Sequence, residues 1–104
     1  MTLTTLPTIP GKTIRTHFGI VTGSSVRAKH IGKDIFAGIK NIFGGELHGY
    51  TELMDETRRE ALSRMVTQAQ AAGANAVVGI RFGSSDVAQG AAEIYAYGTA
   101  VLVE

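Results

Sequence analysis

Residues 51–82, TELMDETRREALSRMVTQAQAAGANAVVGIRF, constrain the fold more than any other stretch of this chain. Leu53, Met54, Ala61, Leu62, Met65, Val66, Ala69 and Ala72 recur at three- and four-residue steps. That spacing predicts an amphipathic helix with one apolar stripe. Glu52, Asp55, Arg58, Arg59, Glu60 and Arg64 fall largely off the stripe and are expected to meet water. Thr51 is the expected N-cap, because its hydroxyl can accept from a free N–H of the first turn. Glu52, Asp55 and Glu56 would then sit at the positive end of the helix dipole. Gly73 is the expected stop, since the residue after a last turn often needs positive φ. Beyond it, AVVGIRF reads as a strand. Ala76, Val78, Ile80 and Phe82 are expected on one face and Val77, Gly79 and Arg81 on the other. A helix of about 30 Å can lie along such a strand and cover one face of a sheet. The expected core contact is Leu62 and Met65 against Val78.

The rest of the chain supplies partners for that unit. Residues 1–11, with Pro7 and Pro10, read as an extended arm or an edge strand, because each proline biases the residue before it to extended geometry. Residues 13–22 alternate as a first core strand, with Ile14, Phe18 and Ile20 on one face and Thr13, Arg15, His17 and Val21 on the other. Gly23, Ser24 and Ser25 are expected to break it. Ile35, Phe36, Ile39, Ile42 and Phe43 fall at helical steps and predict a short helix over 33–43, stopped by Gly44 and Gly45. Residues 83–91 read as a polar hairpin loop. The last strand covers 92–103. Ile94, Ala96, Ala100 and Leu102 share one of its faces, and Tyr95, Tyr97, Val101 and Val103 the other. Gly98 marks a bulge or a close backbone approach. The expected class is α+β: a small antiparallel-dominated sheet with one long and one short helix, in the order strand-helix-helix-strand-strand.

Composition narrows the functions. The 104 residues are expected to form a single domain, 1–104, with 1–11 as its arm. A net charge of +1 and the lack of a basic, aromatic-studded run argue against nucleic acid. No apolar run approaches the length of a membrane span. The absence of cysteine removes disulfides, thiolate metal sites and cysteine nucleophiles. With no secretion signal in the first residues, the expected location is the cytoplasm.

The segments TTLPTIPG, GIVTGSSV, KDIFAGIKNIFGG, EALSRMVTQAQAAGANAVVGI and YGTAV, in this order, resemble the YbjQ-like family over essentially the whole chain. The resemblance implies a dodecin-like α+β subunit, a homopentameric ring and a label of heavy-metal binding, with no established reaction. The chain departs from the family pattern after GANAVVGI. An acidic stretch is common there, and this chain has Arg81, Phe82, Gly83, Ser84 and Ser85.

A divalent metal would have to be held by histidines and carboxylates. His17, His30 and His48 are not at i, i+3 or i+4 from one another, so no local pair exists. The candidates are Glu46 and His48, in a glycine-rich loop that can wrap tightly, and His17. The plainer reading of each histidine is an exposed or hydrogen-bonded side chain. Ser24 and Ser25 follow a strand but lack a nucleophile elbow, and residues 22–25 lack the lysine of a phosphate-binding loop. Lys33 and Asp34 read as a solvated helix start. Tyr95 and Tyr97 are packing residues or a stacking surface for a flat ligand.

Apolar residues on both faces of the last strand and on the short helix exceed what one helix can cover. That predicts a homo-oligomer. The preferred reading is a non-enzymatic ring that binds a metal ion or small molecule between subunits. The alternatives are a hydrolase-like enzyme with a site shared across subunits, or a module that docks a partner protein.

Overall fold

The computed structural model describes residues 1–28, 48–88 and 91–104. They form strands β1 (Thr2–Leu3) and β2 (Ile14–Ala28), helix α1 (His48–Ala72), and strands β3 (Ala76–Ala88) and β4 (Ala91–Val103). The strands make one mixed sheet in the order β1-β3-β4-β2. β1 runs parallel to β3, and the other two pairings are antiparallel. The α+β class and the long helix are as the sequence predicts. The arm adds a strand, so the described elements run strand-strand-helix-strand-strand. The short helix expected over 33–43 lies outside the described residues.

Helix α1 begins at His48, so Thr51 lies within its first turn and is not the N-cap. Its most buried positions are Leu53, Thr57, Ala61, Met65 and Ala69, at four-residue steps. Each step advances about 40° around a helix of 3.6 residues per turn. The contact line therefore winds around α1, which suits packing on a twisted sheet. Thr57 is tolerated in this line because its hydroxyl donates to the Leu53 carbonyl at 2.6 Å. The helix ends in a Schellman motif. Gly73 has φ 96°, its N–H donates to the Gln70 carbonyl at 3.0 Å, and the Ala74 N–H donates to the Ala69 carbonyl at 3.1 Å.

The break expected at Gly23, Ser24 and Ser25 does not occur, and β2 continues to Ala28. Gly23 is instead the seat of the helix. A Cβ there would collide with the Ala61 carbonyl oxygen and the Met65 amide nitrogen. Ser25 lies on the same face and is buried. The loop expected over 83–91 is likewise strand as far as Ala88. Its weak strand propensity is overridden by pairing with β4 along Gly83–Tyr95, Ser84–Ile94 and Ser85–Glu93. The Tyr95 ring lies across Gly83, where any Cβ would strike it.

Bulges bear on the faces predicted from simple alternation. β2 carries an extra residue at Arg15 and another at Phe18. The two insertions cancel beyond Gly19, so Ile20 shares the face of Ile14 as alternation predicts; that face is turned from the helix, which leaves Ile20 79% exposed and Val21 under α1 at 3%. In β3, Gly79 and Ile80 together oppose Gly98, and Gly79 takes φ 63°. Gly98 is also a close approach, since a Cβ there would come 2.7 Å from Val77 Cγ1. Val77 and Ile80 consequently join Val21, Met65, Ile94 and Ala96 in the core beneath α1. Val78 belongs with Ala76, Val101 and Val103 in a second cluster. The expected packing of Val78 on Leu62 and Met65 is thus corrected: Val77 takes that place, and Leu62 is only half-buried.

The second cluster is covered by the arm, through Ile9, and by Ile14. The Thr2 N–H donates to the Asn75 carbonyl at 3.2 Å and the Thr4 N–H to the Val77 carbonyl at 3.1 Å. In return, the Ile80 N–H donates to the Thr4 carbonyl at 3.1 Å and the Gly79 N–H to the Leu6 carbonyl at 2.8 Å. The Arg81 guanidinium donates to the Thr5 carbonyl at 2.9 Å and to the Ile80 carbonyl at 2.8 Å.

Candidate functional site

The candidate site is a groove between the N-terminal half of α1 and the far ends of β3 and β4. Met54 and Arg58 form the helix wall, residues 82–86 the β3 wall, and Ala92 and Ile94 the floor. The space is about 460 Å³. Sequence alternation explains the lining. Beyond the bulge at Gly79, residues Phe82, Ser84 and Asp86 pair with Ala96, Ile94 and Ala92, and so turn toward the helix. Phe82 is 44% exposed and supplies an apolar wall opposite Met54. Arg58 leans on Asp55 at 3.4 Å, and Asp55 also holds Arg59 at 2.9 Å. These are surface pairs that contribute little to stability.

The groove sets Arg58, Asp86 and two serines beside its apolar walls. Its described hydroxyls are Ser84 and Ser85, and Ser85 donates to Glu93 at 3.2 Å. Among the described residues no histidine lines the groove, and none of them stands beside either serine as an imidazole base. Reading 83–91 as a loop hid this wall from the sequence. The signal that could have found it is the alternation of Phe82, Ser84 and Asp86 against Gly83 and Ser85.

Below the groove, α1 is tied to β2 by polar contacts. Glu60 pairs with Arg27 of β2 and with Arg64 of its own helix. Arg64 donates to the Ser24 carbonyl at 2.6 Å. The Gln68 side-chain oxygen accepts from the Thr22 N–H at 2.6 Å. The Ser25 hydroxyl and Arg27 Nε are buried in this region without a hydrogen-bond partner among the described residues.

Of the metal-ligand candidates, His17 alone has a described side chain. His17 is exposed on β2, opposite Val101 of β4. His48 is the first residue of α1, and its side chain lies outside the described part of the structure. Glu46 and His30 also lie outside the described residues. Among the described residues, no three His, Asp or Glu side chains group closely enough to hold an ion. The described helix is also not long and apolar enough to cross a membrane.

The face of the sheet turned away from α1 is open in its distal half and carries exposed apolar side chains between Thr22, Ser24, Ser85 and Glu93. Tyr95 and Tyr97 stack there with ring centroids 6.2 Å apart and planes inclined by 28°. They are 37% and 41% exposed, and Ile20, Val26 and Val87 on the neighbouring strands are more exposed still.

A single long helix seated on a mixed, antiparallel-dominated sheet, with an open groove at one end, defines a small α+β domain. The chain belongs to the YbjQ family, whose model matches residues 1–104 and is described as "Putative heavy-metal-binding". It is 62% identical to a UPF0145 protein of Hahella chejuensis over 104 residues, covering all of both chains. It is 56% identical to a UPF0145 protein of Acinetobacter baylyi over 96 residues, covering 92% of this chain and 89% of that one. An archaeal relative, a UPF0145 protein of Archaeoglobus fulgidus, is 52% identical over 95% of this chain and 92% of its own. The fold is similar to the crystal structure of a protein of unknown function of the DUF74 family from Pediococcus pentosaceus. The TM-score is 0.71 at 18% identity, covering 100% of this chain and 98% of that one.

Proposed function

We propose that this chain is a cytoplasmic, non-enzymatic protein that assembles with copies of itself into a ring. The ring binds a divalent metal ion or a small molecule between its subunits. The observation that carries the assembly is the open sheet face bearing Ile20, Val26, Tyr95, Tyr97 and Val87. Apolar surface of that kind on a soluble chain usually marks an interaction site, and closed symmetry is the usual way identical copies bury it. Five subunits is the number the family resemblance implies. The family description supports a metal.

Native mass spectrometry of freshly purified protein tests both parts. The expected result is one species near five times 11.0 kDa, with metal or ligand mass retained by the assembly and lost with its dissociation. A single species at 11.0 kDa overturns the assembly. Stoichiometric zinc that stays with a dissociated single chain overturns the shared site.

A further inference from the structure

We propose that the groove beside α1 takes a zwitterionic small molecule with an apolar body, of the class of an apolar α-amino acid, its carboxylate held by Arg58 and its ammonium by Asp86. The inference rests on the small-molecule reading above and gives that molecule a site and a chemical class.

The seating of α1 leaves this space open. Gln68 holds the Thr22 N–H, Arg64 the Ser24 carbonyl and Glu60 the Arg27 guanidinium, so the helix is hooked over β2 at one edge of the sheet. β3 lies on the far side of β4 from that edge. Its residues Phe82, Ser84 and Asp86 therefore line a space that the helix borders and does not fill. At about 460 Å³ the groove falls in the size range of small-molecule sites.

Each wall offers one apolar and one charged station. On the helix, Arg58 stands one turn, about 6 Å, from Met54. On β3, Asp86 stands four residues, about 13 Å, from Phe82. Ser84, between them on the strand, adds a hydroxyl.

The two charges are not cancelled within the chain. Arg58 reaches Asp55 at 3.4 Å, long for a hydrogen bond, and Asp55 is held more closely by Arg59 at 2.9 Å. Asp86 has no ion pair among the described residues. One available charge of each sign beside apolar walls discriminates among ligands. A phosphate or a simple carboxylate is repelled by Asp86, and a simple amine by Arg58. A neutral apolar molecule leaves both charges unmatched. A molecule with one ammonium and one carboxylate satisfies both, and its apolar side chain then has Phe82, Met54 and Ile94 to lie against.

Isothermal titration of the full chain with L-phenylalanine, phenethylamine and phenylpropionate reads the two charges separately. L-Phenylalanine should bind saturably at one per chain, and each one-charge analogue about tenfold more weakly. Arg58→Gln should lower the affinity for L-phenylalanine to that for phenethylamine without weakening phenethylamine. Asp86→Asn should lower it to that for phenylpropionate without weakening phenylpropionate. No saturable L-phenylalanine binding at millimolar concentration, or equal binding of the three probes, overturns the proposal. So does an unchanged preference in either charge variant once circular dichroism shows it folded. Should a variant not fold, the ranking of the three probes on the wild-type chain decides alone. A ring that retains metal and binds no L-phenylalanine overturns this ligand class and leaves the assembly standing. A monomer that binds the probes in the expected order overturns the ring and leaves the groove standing.

Discussion

The side-chain amide of Asn75 exchanges two hydrogen bonds with the main chain of Val103: its Nδ2 donates to the carbonyl at 2.9 Å and its Oδ1 accepts from the N–H at 2.8 Å. The side chain thereby imitates a strand residue and extends the β3–β4 ladder by one step at the point where the chain leaves α1. The Asn75 N–H itself donates to the Val101 carbonyl at 3.1 Å. Asn75→Ala leaves a partly buried N–H and C=O of Val103 unsatisfied. It is expected to cost about 1–3 kcal/mol, measured as a shift of the urea midpoint with unchanged slope. A variant as stable as wild type would show that water replaces both bonds without loss.

Gly23→Ala should be more damaging than a surface methyl. The added Cβ meets helix backbone at Ala61 and Met65, which cannot rotate away as a side chain can. Overpacking of this kind costs about 1–3 kcal/mol. Thermal unfolding of the variant at wild-type temperature would show that α1 shifts freely on the sheet.

The bulge at Gly79 makes a double-mutant prediction. Met65 and Val77 share the core under α1, whereas Val78 faces the arm. Met65→Ala alone should cost about 2–5 kcal/mol. Combined with Val78→Ala, the losses should add to within about 0.5 kcal/mol. Combined with Val77→Ala, they should deviate by about 0.5–3 kcal/mol. Strong coupling of Met65 to Val78 would restore the face assignment that plain alternation predicts.

The same residues show what the sequence could and could not say. The long helix was legible because its stripe repeats over many turns, and its glycine stop is local chemistry. Strand faces were less legible, because one inserted residue inverts every side chain beyond it. Nothing in AVVGIRF announces that Gly79 carries such an insertion. Gly23 and the stretch from Gly83 to Ser85 look like punctuation. Their glycines serve instead as landing places for Ala61 and Tyr95, a tertiary demand that appears only when the distant partner is in place. The groove was missed for that reason. His17, Glu46 and His48 are candidates by residue type, the latter two also by their glycine-rich stretch, and only His17 has a described side chain, exposed on β2.

Gly23 also acts at a distance. The helix backbone touches the sheet at Ala61 and Met65, and Met54 and Arg58 stand up to a dozen residues N-terminal to that seat, within about 20 Å along the axis. α1 therefore rests on a fulcrum without a side chain, and the groove lies N-terminal to it along the helix. The height of the fulcrum sets how far Met54 stands from Phe82, so residue 23, which touches no part of the groove, gauges its width.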